Sequence, residues 1–113
     1  MSSPTSHASR GSGEGGMPDL AELEEAARLV HATMPPTPQR AWPLLSLRTG
    51  AETWVKHENH APTGAFKVRG GIVFVDRLLR GEPDVPGIIS ATRGNHGQSL
   101  AFAGGRRGVP VTI

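Results

Sequence analysis

The amino-acid sequence predicts an α/β protein with a mostly parallel sheet and flanking helices. Three observations carry that expectation. Short β-branched apolar runs alternate with segments of helical period, giving the order strand, helix, strand, helix, strand. Hydrophobic residues make up 36% of the 113, in runs well short of the roughly 18 that a membrane span needs. There are no cysteines, so the core forms without disulfides or thiolate metal sites, as suits a cytoplasmic protein.

Residues 1–17 open with "MSSPTSHASRGSGEGG", rich in Ser and Gly and poor in apolar side chains. Such a stretch cannot bury enough surface to offset its ordering, so it is expected to be a disordered extension. Met17 then reads as a natural beginning; a transit peptide is the rival reading, weakened by Glu14 and the lack of amphipathic pattern.

A first helix is expected over 19–32. Asp19 and Glu22 have capping-box spacing, and Leu20, Leu23, Ala27, Val30 and Met34 form one apolar stripe. "MPPTPQ" ends it. Two short strands follow, over 44–47 and 52–57, joined by a turn at Thr49 and Gly50. A second helix begins at Phe66 or Lys67 and ends near Arg80, with Gly81 as its cap and Val68, Ile72, Val75 and Leu79 as its stripe. "PGIISAT" reads as a buried strand, "RGNHG" as a tight loop, "QSLAFAGGRRG" as a third helix and "VPVTI" as another strand. A parallel strand needs neighbours and helical cover on both faces, so residues 18–113 are expected to be the incomplete N-terminal portion of a larger catalytic domain.

Charge and composition narrow the function. The net charge is +2 with the basic residues scattered, and aromatics are limited to two Trp and three Phe. Neither a phosphate-binding stripe nor a base-stacking platform is present, so no nucleic-acid partner is expected. No membrane partner is expected either.

Lys67 is the first candidate for chemistry. An arbitrary lysine at a helix start is usually just solvated. Here a cation in the first turn opposes the helix dipole, which is mildly unfavourable and asks for a reason. Apolar surroundings and a positive helix end favour the neutral form of an amine, the form that condenses with carbonyl compounds. Gly70 and Gly71 lie three and four residues on, on the same helix face, leaving a strip without side chains. Two glycines there cost roughly 0.5–1 kcal/mol each relative to alanine. They are expected to let something flat approach the backbone.

"TRGNHGQ" is the second candidate. It lies where a strand passes into a helix, the usual ligand position of α/β folds, and free N–H groups there can hold a carboxylate. Thr92 offers a hydroxyl, and Asn95 either caps the helix or bonds a ligand oxygen. A plain glycine turn with an Asn cap is the alternative. His57 and His60 in "KHENH" stand three apart, but the stretch reads as a strand running into a loop and is not H-E-x-x-H, so no metal is expected.

Taken together, Thr37–Pro38, "VKHENHAPTGAFKVRGG" and "ISATRGNHGQSLAFA" resemble the N-terminal part of the threonine and serine dehydratase family, pyridoxal-phosphate enzymes of the tryptophan-synthase-β-like fold type. The resemblance covers residues 18–113 and implies one truncated part of a two-domain fold. It implies pyridoxal 5'-phosphate as cofactor, with Lys67 the lysine that bonds it and the base for the α-proton. Asn95 would hydrogen-bond the cofactor's 3′ oxygen, and Thr92, Arg93, Gly94, Asn95 and His96 would grip the carboxylate of an amino-acid substrate. Glu58 and Asn59 match a pair taken as structural. The implied reaction is β-elimination from a hydroxy amino acid such as L-threonine or L-serine, giving a 2-oxo acid and ammonia. Relatives acting as serine racemase, β-hydroxyaspartate dehydratase or hydroxyectoine-utilisation dehydratase are the alternatives, as is a non-catalytic truncated gene product. Ala65 stands where racemising relatives often carry serine, which favours elimination. Full-length relatives are expected to be homo-oligomers. The family's glycine-rich phosphate loop does not occur in these 113 residues, so the chain alone is expected to be inactive.

Overall fold

The computed structural model describes residues 16–113; the expected disordered extension over 1–17 falls almost wholly outside the described residues. Helix α1, Leu20–Thr33, begins as its sequence requires. The Asp19 carboxylate accepts from the Glu22 amide at 2.8 Å, and Glu22 returns the bond to the Asp19 amide at 3.0 Å. Its apolar stripe is only half used: Val30 and Met34 are buried, whereas Leu20 and Leu23 are exposed.

Strand β1, Gln39–Ala41, pairs antiparallel with β2, Trp54–Lys56, with Arg40 opposite Val55. Between them lies helix α2, Pro43–Thr49, where a strand over 44–47 was expected. The reason is local. Pro43 stands at the first helical turn, where its fixed φ suits a helix. Leu44, Leu45 and Leu47 are strong helix formers, and Gly50 closes the turn in the left-handed conformation. Leu44 and Leu47 are both exposed, so no half-buried sheet face imposes a period of two.

A 3₁₀ turn at Glu58–His60 leads to helix α3, Lys67–Gly81. Gly81 is its last residue rather than its cap, which falls on Glu82. Val68, Ile72 and Val75 of the expected stripe are buried, with Leu79 packed against them. Strand β3, Ile88–Ile89, helix α4, Asn95–Arg107, and strand β4, Val111–Thr112, form a βαβ unit whose strands are parallel, Ile88 opposite Val111. The two described sheets are therefore one parallel and one antiparallel pair.

Helix α3 is the centre of the fold, packed against both α1 and α4. The core gathers Val30 of α1 and its C-cap Met34, Val68, Ile72 and Val75 of α3, and Ala61, Ala103 and Val109. Asp76, nearly buried on α3, ties the layers together. It accepts from Arg107 of α4 at 2.7 Å and Arg80 at 2.8 Å, and Arg80 reaches Glu25 of α1 at 2.6 Å. No helix among the described residues is long and apolar enough to cross a membrane.

Candidate active site

Lys67 is the first residue of α3, as its sequence position promised. Its side chain is exposed, and its amine has no hydrogen-bond or ion-pair partner among the described residues. It opens onto a cavity of about 510 Å³, within the range that holds a small ligand. Phe66, Phe74, Ile88, Ile89 and Leu100 give this cavity apolar walls, and Lys67, Ser90 and His96 supply polar groups.

The two glycines do different jobs. A Cβ on Gly70 would meet nothing within 4 Å, so bare backbone forms part of the cavity wall there. Gly71 is a helix-packing residue, because a Cβ on it would lie 2.2 Å from Ser99 Oγ and 2.8 Å from the Ser99 carbonyl. Both glycines line the cavity beside Lys67, as the expected side-chain-free strip requires in position, and Gly71 has the further duty of letting α4 approach.

The start of α3 is held from the side. Arg69 donates to both Glu58 carboxylate oxygens, from Nε at 2.8 Å and Nη2 at 2.9 Å. Thr37, buried, donates its hydroxyl to Glu58 at 2.5 Å, and Lys56 reaches the Thr37 carbonyl at 3.3 Å. The hydrogen bonds from Arg69 hold the Glu58 carboxyl down at about 2, with Thr37 and the charges of Arg69 and Lys56 assisting and partial burial opposing. This network anchors the turn that presents Lys67. It accounts for Thr37, Glu58 and Arg69 in the motif.

The loop before α4 bears on one of the two alternatives for Asn95. Asn95 is not the helix cap; Gly94 is, with φ 157° and ψ −101°, a backbone conformation that L side chains rarely adopt. Thr92 does part of the capping, accepting from the amides of Gly94 and Gly97, each at 3.3 Å. Its own hydroxyl proton is left to donate elsewhere, and the Asn95 side chain is left without a capping duty. His96 lines the cavity with Lys67, whereas Thr92, Arg93, Gly94 and Asn95 lie outside its lining. Arg93 is exposed and forms no ion pair among the described residues. Sequence reasoning missed the aromatic and aliphatic walls, Phe66, Phe74 and Leu100, and also Ser99. Only its place beside Leu100 on the face that also carries Gly97 and Ala103 could have signalled the last.

Residues 31–113 match the family model described as "Pyridoxal-phosphate dependent enzyme". The chain belongs to that family. This pyridoxal-phosphate enzyme chain is 35% identical over 94 residues to the L-threonine ammonia-lyase of Thermotoga maritima, covering 83% of itself and 23% of that protein. It is 32% identical over 97 residues to the L-threo-3-hydroxyaspartate ammonia-lyase of Saccharomyces cerevisiae, covering 86% of itself and 29% of that protein. Its fold superposes on a solved pyridoxal 5'-phosphate-dependent aspartate racemase with a TM-score of 0.75, at 29% identity, over 84% of this chain and 31% of that one. The chain thus spans about a quarter of the length of the curated relatives it matches. Pyridoxal 5'-phosphate is the family's cofactor, and the residues present fit it: an unpaired amine, apolar walls and a stretch of wall without side chains.

Proposed function

We propose that this chain contributes the lysine-bearing segment of an ammonia-lyase acting on a hydroxy amino acid such as L-threonine or L-serine, releasing a 2-oxo acid and ammonia. One observation carries the reading: the unpaired Lys67 amine at the head of α3, facing an apolar cavity beside the first turn of α4. When bound, pyridoxal phosphate supplies an aldehyde for covalent capture and a ring that spreads negative charge from the α-carbon.

The chain's own residues do the rest. The Lys67 amine would hold the coenzyme and, when free, would take the α-proton on its nitrogen. The Asn95 amide would be the donor to the coenzyme's ring oxygen. The substrate carboxylate is received by the hydroxyl of Thr92 and by the α4 first-turn amides of Asn95 and His96, at the positive end of the helix dipole. Phe66, Phe74 and Leu100 give the cavity apolar surface, beside which each of these contacts is stronger than in open water. Ala65 offers no hydroxyl for proton delivery to the opposite face, which favours elimination over racemisation. The working enzyme is proposed to be a homo-oligomer.

Borohydride reduction of the holoenzyme followed by mass mapping tests the assignment. The expected result is a pyridoxyl group on Lys67; Lys67→Ala should abolish both that adduct and ammonia release. An adduct-free Lys67, or full turnover by the alanine variant, would refute it.

Arg93 favours a second reading of the substrate. An unpaired guanidinium beside a carboxylate-binding loop suits a second anionic group, as in β-hydroxyaspartate. Arg93→Ala should then lower turnover of β-hydroxyaspartate at least tenfold more than that of threonine. Equal losses, or none, would leave threonine or serine as the substrate.

A further inference from the structure

Ser99 lies in the interface between α3 and α4 and is 1% exposed. A serine inside a helix commonly returns its hydroxyl to the carbonyl one turn back in its own helix. Ser99 instead donates across the interface, to the main-chain carbonyl of Lys67 at 2.6 Å. That carbonyl is the first of α3 and already belongs to the helix's own ladder. The hydroxyl therefore adds a second bond, one that ties the Lys67 peptide to α4. Gly71 makes the approach possible, since any Cβ there would collide with Ser99 Oγ. On α4, Ser99 sits one turn from Asn95 and adjacent in the sequence to the turn bearing His96. The other direct side-chain bond between the two helices among the described residues, Arg107 to Asp76, lies towards the far end of α4.

We propose that Ser99 is a positioning residue, whose hydroxyl fixes the main chain of Lys67 against α4 and so sets where the Lys67 amine stands relative to Asn95 and His96. The inference rests on the reading of Lys67 as the coenzyme-bonding amine. Ser99 is too deeply buried to meet coenzyme or substrate, and it acts through Lys67. A lysine side chain is a flexible stem, so the position of its Cα bounds the space its amine can search. Without the bond that space widens, and the fraction of time spent in attacking geometry falls, while substrate contacts made by the α4 loop persist.

Ser99→Ala and Ser99→Cys in the holoenzyme that carries these residues test the idea. With L-threonine as probe, Ser99→Ala should keep KM and lose about tenfold in kcat, short of the roughly 10²-fold that a 1 Å misplacement can cost. The pH midpoint of the bound coenzyme's visible absorption should shift in the same variant, because that midpoint reports the setting of the Lys67 nitrogen. Ser99→Cys keeps the shape with a weaker donor and should fall between wild type and Ser99→Ala. If Ser99→Ala fails to fold, Ser99→Cys decides by the same two readouts. A folded variant with unchanged kcat and unchanged midpoint, or with a change in KM alone, overturns the proposal. If borohydride places the coenzyme of the wild-type enzyme on a lysine other than Lys67, the reading of Lys67 falls first and this inference with it.

Discussion

Glu58 is the most perturbed of the described acids, and its perturbation has a direct consequence for stability. Its folded-state value of about 2 lies below the ordinary 4.5, so folding favours the ionised carboxylate. The stability it lends is full above pH 4.5 and drains away as the pH falls towards 2. Glu58→Gln keeps the shape but loses the charge that Arg69 meets with two hydrogen bonds. It should cost about 1–3 kcal/mol at neutral pH. Thermal melts of wild type and variant at a series of pH values should converge as the acid limb is descended. Parallel curves would show that the Arg69 contact contributes nothing through its charge. Because Arg69 stands two residues from Lys67, the same substitution should also weaken coenzyme capture. The acid–amide pair ahead of the turn was legible in the sequence as structural. Its partner Arg69 was not, since eleven residues of chain separate them and only the fold brings them together.

At the scale of elements, α3 and α4 meet as closely as side chains allow. Gly71 is the contact point, and both the hydroxyl and the carbonyl of Ser99 would be struck by a methyl group there. Gly71→Ala gains helix propensity of up to about 1 kcal/mol. It should nevertheless destabilise by a net 1–3 kcal/mol or more, because the overpacked backbone carbonyl cannot rotate away. A melting temperature at or above that of wild type would show that the helices separate without cost. Glycine next to Lys67 was visible in the sequence and invited a ligand-based explanation. Residue spacing alone cannot distinguish a glycine that faces a ligand from one that faces another helix. Helix α2 shows the same limit in reverse. A leucine-rich stretch of seven residues carries no decisive period, and the absence of a buried sheet face let Pro43 and the leucines settle it.

At the scale of the molecule, the βαβ unit and the α1–α3–α4 stack bring one amine, one histidine and an apolar cavity together. Among the described residues, no glycine-rich loop lines the cavity where the coenzyme's phosphate would need a cradle. The purified chain alone is therefore expected to hold pyridoxal phosphate weakly through Lys67 and to release no ammonia from threonine. A stable yellow complex with turnover would overturn that expectation. Several large apolar side chains, among them Trp42, Leu44, Leu47 and Phe66, face outward in the described residues.

The sequence by itself determined the family motif, the helix that starts at Lys67, the capped first helix and the parallel βαβ unit, because each is written in local spacing and in turn chemistry. Only the tertiary structure decided that Gly71, besides lining the cavity, abuts Ser99, that Gly94 rather than Asn95 caps α4, and that Arg69 grips Glu58. Those outcomes depend on contacts between residues far apart in the chain, where the distance of one helix from another, and not the identity of either, sets what fits.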